Sequence, residues 1–220
     1  MNTIITSKNF SSYFNLSGLG KKLFSKNYYS NTAYYKDILS QYSNTATYLK
    51  IYNSTLGLST VHTHTEIQQD ILGGSIKQII LVYGKPSLVF SEKKLSIYVY
   101  KWKFNGLKTR CEIHFYNSKA FFVNYIYNQP DHSDKEYVIK AITDKYLPQC
   151  VSSTDLTSSK IVDKNNNFLF ITDFMQGFKV TYLSNCESDW YEAMSQEESF
   201  KKDQQRVKAI QAEKNFLNRI

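Results

Sequence analysis

From Lys94 to Asn128 the chain reads KLSIYVYKWKFNGLKTRCEIHFYNSKAFFVNYIYN, and this stretch constrains the fold more tightly than any other. Its residues alternate with period two. Asn105-Gly106 sits between two such runs, and Asn-Gly suits a tight hairpin turn because both central residues need positive φ. A second polar break at Asn117-Ser118 starts a third run. The pattern predicts a three-stranded antiparallel meander.

The register follows from the turn. A two-residue loop at Asn105-Gly106 sets Phe104 opposite Leu107, then Trp102 opposite Thr109, Tyr100 opposite Cys111 and Tyr98 opposite Ile113. That face is apolar and should be buried. The other face pairs Lys103 with Lys108, Lys101 with Arg110, Val99 with Glu112 and Ile97 with His114. Like charges directly opposite each other destabilise a sheet. Four cations on one face therefore imply either full solvation or an anionic partner. If Asn117-Ser118 is also a two-residue loop, Arg110 faces Tyr125 and Lys108 faces Tyr127, which interleaves cations with aromatic rings.

Charge is unevenly spread along the 220 residues, whose net formal charge is +8. Residues 1–60 hold six lysines against one acid. Residues 61–130 hold nine Lys or Arg against four acids, and residues 131–220 hold twelve against fourteen. A basic first two thirds favours an acidic protein surface, nucleic acid or an anionic membrane surface. The three cysteines, Cys111, Cys150 and Cys186, are far apart and form no Cys-x-x-Cys, so neither a disulfide framework nor a zinc site is expected. No run approaches the ~18 apolar residues of a membrane span, and the N-terminus lacks the apolar stretch of a secretory signal.

Four regions are expected: a Tyr-rich basic N-terminal extension (1–60), a helix plus antiparallel meander (61–130), a second helix plus meander (131–186) and a C-terminal helix (187–220). In the first region a short helix is expected from Asn31 or Thr32 to Gln41, and Thr47 to Asn53 reads as a strand. Ser75 to Gly84 has an N-cap serine, an apolar stripe of Ile76, Ile79, Ile80 and Tyr83, and a terminating Gly84 before Pro86. A strand over Ser87 to Ser91 precedes the meander. Ser133-x-x-Glu136 reads as a capping box for a helix to Leu147. Strands follow at Lys160 to Asp163, Phe168 to Phe174 and Phe178 to Ser184, with turns at Asp163 to Asn167 and at Gln176-Gly177. No Gly or Pro occurs from Ser188 onward, so one long helix or two joined ones are expected there. Phe200, Val207, Ile210 and Leu217 trace an approximate 3.5-residue seam, which Asp203 and Lys214 interrupt. The fold class is α+β, with two helix-plus-antiparallel-meander units and a long C-terminal helix.

The run from Gly74-Ser75 through Ile79, Ile80, Gly84 and Pro86 into the strands up to Tyr127 resembles the helix-plus-meander modules of SmpA/BamE-like small lipoproteins and of the β-lactamase-inhibitor-protein-like fold. The lipoprotein signal and modified Cys of the first group are absent. What the resemblance implies is a non-enzymatic binding scaffold.

Little catalytic chemistry can be assembled. His62-Thr-His64 is the only metal-like spacing, and without later His and Asp ligands both histidines are expected as exposed polar residues, with no metal site. Cys111 and His114 stand three apart on a strand, hence on opposite faces, so they cannot form a dyad. No nucleophile elbow or phosphate-cradling glycine loop is present, and no cofactor is implied. The binding candidates are Lys101, Lys103, Lys108 and Arg110 with Tyr125 and Tyr127. The primary expectation is a non-enzymatic interaction or assembly component, cytoplasmic or part of an assembled particle, with a protein partner. Nucleic-acid binding on the same basic face is the alternative, and a small enzyme or delivered toxin is the third reading.

Overall fold

The computed structural model describes residues 40–42, 44–104, 107–148, 156–185 and 189–217. The N-terminal segment 1–39, the Asn105-Gly106 turn, Cys150 and Cys186 lie outside them. So does the helix expected up to Gln41, except for its last two positions, which are helical. The described chain runs α1 (Ala46–Ser54), a 3-10 turn (Thr55–Gly57), β1 (Ser59–His62), α2 (Ile76–Tyr83), β2 (Leu88–Glu92), β3 (Leu95–Phe104), β4 (Leu107–Tyr116), β5 (Lys119–Asn128), α3 (His132–Tyr146), β6 (Ser159–Val162), β7 (Phe168–Phe174), β8 (Gly177–Leu183) and α4 (Asp189–Leu217). The fold is α+β. Its strands form one sheet in the order β1-β6-β7-β8-β5-β4-β3-β2, antiparallel except for the β1–β6 pair. The two meanders share this sheet instead of closing into separate ones, because their last strands, β5 and β8, pair with each other.

Local chemistry explains the helix ends. Ser75 and Gln78 close a capping box at the start of α2, and Gly84 ends it at φ 74°, a backbone region that glycine enters without strain. At α3 the expected box is displaced. Asp131 and Asp134 form it instead of Ser133 and Glu136, and Ser133 Oγ donates to the Asp131 carboxylate at 2.7 Å. Thr47 to Asn53 is helical, a correction to the expected strand. Tyr48, Ile51 and Tyr52 already carry the i, i+3, i+4 spacing of a helix face, and in α1 that face meets the sheet. Gly177 is the first residue of β8, with the turn at Met175-Gln176. A Cβ at Gly177 would lie 2.0 Å from the Tyr127 carbonyl oxygen, so β8 can approach β5 there only through glycine.

Each face of the sheet carries its own core. On one face, Tyr100, Cys111, Ile113, Tyr125, Val180 and Leu169 pack with Ile79 of α2 and Val138, Ile142 and Tyr146 of α3. On the opposite face, Ile97, Val99, Phe122, Leu183 and Phe168 pack with Tyr42, Tyr48 of α1, and Trp190 and Met194 of α4. The first half of α4 thus closes the second core.

Candidate functional site

The β3–β4 pairing matches the register expected from the turn at each position named above, from Phe104 opposite Leu107 to Ile97 opposite His114. The next hairpin does not match. Tyr116 pairs with Lys119 and Phe115 with Ala120, as a two-residue loop requires, but His114 then pairs with Phe122. Phe121 is an extra residue, a β-bulge. The bulge lets consecutive residues Phe121 and Phe122 both enter the core beneath α1 and α4. Phe121 lies with ring centroids 5.0 Å from Tyr48 and 5.0 Å from Trp190.

This shift corrects the expected cation–aromatic platform. Arg110 faces Ile126, not Tyr125, and Tyr127 faces Thr109, not Lys108. Tyr125 and Tyr127 are carried to the other face, where both are buried, and Tyr127 stacks on Phe178 at 4.6 Å. Burial raises the Tyr125 hydroxyl above its ordinary pKa. Neither tyrosine is placed to stack on a ligand bound at the cations.

The cations themselves share a face. Lys101 sits opposite Arg110 and Lys103 opposite Lys108. Through Ile126 the row continues to Lys179 on β8. Lys103 is exposed, while Lys101 and Lys108 are half-buried. Burial lowers the pKa of the Lys101 ammonium; it also lowers that of Lys179, partly offset by the charge of Glu112.

Deeper along the same face, Arg110, Glu112 and His114 recur at every second residue and descend into the protein. The Arg110 side chain is 12% exposed, and Glu112 and His114 are 0% exposed. Arg110 Nε lies 2.8 Å from Glu112 Oε1, a close charge pair whose angle departs from a linear hydrogen bond. Glu112 Oε2 is 3.6 Å from His114 Nε2 and 3.5 Å from Asn124 Nδ2. His114 Nδ1 is 2.8 Å from Tyr48 Oη. Asn124 Nδ2 donates to Tyr42 Oη at 2.9 Å, and Asn124 Oδ1 accepts from Thr181 Oγ1 at 2.8 Å.

The protonation states follow from this geometry. Burial alone would raise the Glu112 carboxyl, but the His114 imidazole facing it at 3.6 Å and the charge of Arg110 outweigh it and hold the group below its usual range. Burial lowers the His114 imidazole, against the pull of Glu112. A neutral His114 with its proton on Nε2, toward Glu112, leaves Nδ1 to accept from Tyr48. The cluster is then charge-balanced, with Arg110 and Glu112 ionised. Its carboxylate and imidazole present no surface to a dissolved substrate, so it acts as a polar filling for the second core. A sequence signal for it existed: three titratable residues at i, i+2 and i+4 on one strand face.

The remaining candidates are dispersed. His62 and His64 are both exposed, at the end of β1 and in the loop beyond it. Among the described residues, no group of three or more His, Cys, Asp or Glu side chains is placed to hold a metal ion. Cys111 is buried on the face opposite His114, and burial raises its thiol pKa. The Asp163 carboxylate accepts from the backbone of Ile67, Asn165 and Asn167, which makes it a loop staple. A shallow cleft of about 260 Å³ lies between α1 and the β1–β6–β7 end of the sheet, lined by Tyr52, Thr60, Lys160, Val162, Asn166, Phe168 and Asn185.

A second exposed feature is α4. Trp190 and Met194 are buried, and Trp190 Nε1 donates to the Asn185 carbonyl. Further along, Glu198 Oε1 accepts from Thr45 Oγ1 at 2.9 Å and from Lys201 Nζ at 3.0 Å, tying the helix to the start of α1. Past that clamp every residue from Lys202 to Phe216 is exposed. Phe200, Val207, Ile210 and Phe216 are 63%, 66%, 53% and 67% exposed. No helix among the described residues is long and apolar enough to cross a membrane. No family model matches the chain, and no curated protein and no solved structure matches it.

Proposed function

We propose that this protein is a non-enzymatic interaction component that offers the second half of α4 to a protein partner. One observation carries the reading: large apolar side chains stand exposed on a helix whose first half is anchored in the core. Free in water, such a segment loses the stabilisation that burial of its apolar face would bring. A partner that covers Val207 and Ile210 supplies it. The two-sided burial of the sheet supports the reading, because it makes the body a rigid mount for the helix.

The test is recovery of the tagged chain from its native source, as wild type and as Val207→Asp/Ile210→Asp. A partner retained in stoichiometric amount by the wild type and lost from the variant is the expected result. Recovery of the wild-type chain alone and as a monomer would overturn the reading.

A second reading is favoured by the opposed pairs Lys101–Arg110 and Lys103–Lys108: an anionic partner, nucleic acid in particular, bound through phosphates alone. It requires oligonucleotide affinity that falls steeply with salt and is lost when Lys101, Lys103 and Lys108 are changed to Ala. Affinity unchanged in that variant excludes this surface.

A further inference from the structure

Helix α4 has two apolar faces that do not line up. At 100° per residue, the mean direction of Trp190 and Met194 lies roughly 130° around the axis from that of Phe200, Val207 and Ile210. The surface that covers the first pair therefore cannot cover the second set by simple extension. The second set needs a different neighbour, and its pattern indicates which.

Written as heptads, residues 200–217 place Phe200, Val207 and Lys214 at a and Asp203, Ile210 and Leu217 at d. Two of these six core positions are charged, and they are of opposite sign. In a parallel pair of such helices, a meets a and d meets d. Asp203 would then oppose another Asp203, and Lys214 another Lys214. In an antiparallel pair, a meets d. With the twofold axis between Lys208 and Ala209, Val207 meets the partner's Ile210, Phe200 meets the partner's Leu217, and Asp203 meets the partner's Lys214. The flanking g positions then bring Arg206 opposite the partner's Glu213. The residues that interrupt the seam in one chain become complementary in two.

We propose that residues 200–217 of α4 pair with the same segment of a second copy of this chain, as a short antiparallel coiled coil. The proposal rests on the docking reading above and names its partner. It is self-complementary, as a twofold interface requires. Within one chain, Asp203 is 3.8 Å from Arg206, with side chains 66% and 80% exposed, a contact weak enough to be exchanged. The helix is already nucleated by its anchored first half, so association carries little cost for ordering it. At 18 residues, about 27 Å long, the seam is short, and the dimer is reversible.

Sedimentation velocity of the full-length chain over a wide concentration series tests the pairing. The wild type should shift from monomer to dimer as concentration rises. Asp203→Lys and Lys214→Asp each place like charges in contact at both ends of the twofold seam and should weaken association about tenfold. The double variant Asp203→Lys/Lys214→Asp should regain it, since the opposed signs are restored. A dimer unaffected by either single reversal, or a double variant no tighter than the singles, overturns the antiparallel seam. A wild type that stays monomeric at its highest soluble concentration overturns the second copy as partner. In that case, a native-source partner lost on Val207→Asp/Ile210→Asp would leave the docking reading standing, and recovery of the chain alone would remove both.

Discussion

The two faces of β4 are built on different principles. On one, Cys111, Ile113 and Phe115 are fully buried among apolar side chains from α2, α3 and the neighbouring strands. On the other, burial deepens through Lys108, Arg110, Glu112 and His114, so that a surface charge becomes an interior one within four strand positions. The first face is held by volume. The second is held by volume around a charge that must be balanced. An apolar core tolerates small changes of size at modest cost, whereas a buried ion pair fails when one member is removed, because the other stays charged without water. The difference shows why one face can be spared for packing alone while the other fixes which charges the sheet can carry.

Removing the charge should produce the largest effect. Glu112→Ala leaves Arg110 facing a buried void and should cost about 3–5 kcal/mol in urea unfolding. Ile113→Val, one position along and on the other face, should cost only about 0.5–1.5 kcal/mol. If the two costs came out equal, the charge would not be what holds the second face, and the contrast would collapse.

Acid sharpens the comparison without a mutation. His114 is held below its ordinary value of 6.5, so the unfolded chain takes up a proton that the folded chain refuses. Stability therefore falls as pH drops below about 6.5. Glu112 is held below its ordinary value of 4.5, which adds a second loss as pH falls below that value. Unfolding curves recorded between neutral and acidic pH should show both steps. In His114→Gln the first should disappear while the second persists through Arg110. A wild-type stability that is flat down to pH 5 would contradict the assignment of a buried neutral imidazole.

The smallest effect belongs to the rim. Lys103→Glu puts opposite charges at the Lys103–Lys108 pair and should raise the midpoint of thermal unfolding, by the equivalent of about 0.2–1 kcal/mol. A loss of stability there would mean that the exposed end of the second face is organised by something other than cross-strand repulsion.

Much of this was legible in the residues. Period-two alternation around Asn105-Gly106 determined the pairing of β3 with β4, because a one-residue slip would expose the Tyr98, Tyr100 and Trp102 face. Ser75, Gly84 and Pro86 bounded α2, and the lack of Gly and Pro after Ser188 foretold the long α4. The same alternation separated Cys111 from His114. Other features were not legible because they depend on what packs above a strand. Phe121 and Phe122 are equally apolar, and local pattern does not say that both turn inward. Only the core formed by Tyr48 and Trp190 makes the bulge favourable, and the bulge then moves Tyr125 and Tyr127 to the opposite face. Tyr48, Ile51 and Tyr52 fit a helix as well as a broken strand until the sheet beneath them decides.

Turn chemistry and periodicity act within a few residues, so the antiparallel meander, the positions of the cations and the interrupted 3.5-residue seam of the last helix are readable from local order. Packing across the chain sets the rest: the two meanders share one sheet, Glu112 and His114 are buried, and α4 is anchored at Trp190 and Met194 but exposed from Lys202 to Phe216. Those outcomes depend on which surfaces find each other across the chain, and a one-dimensional pattern does not contain that information.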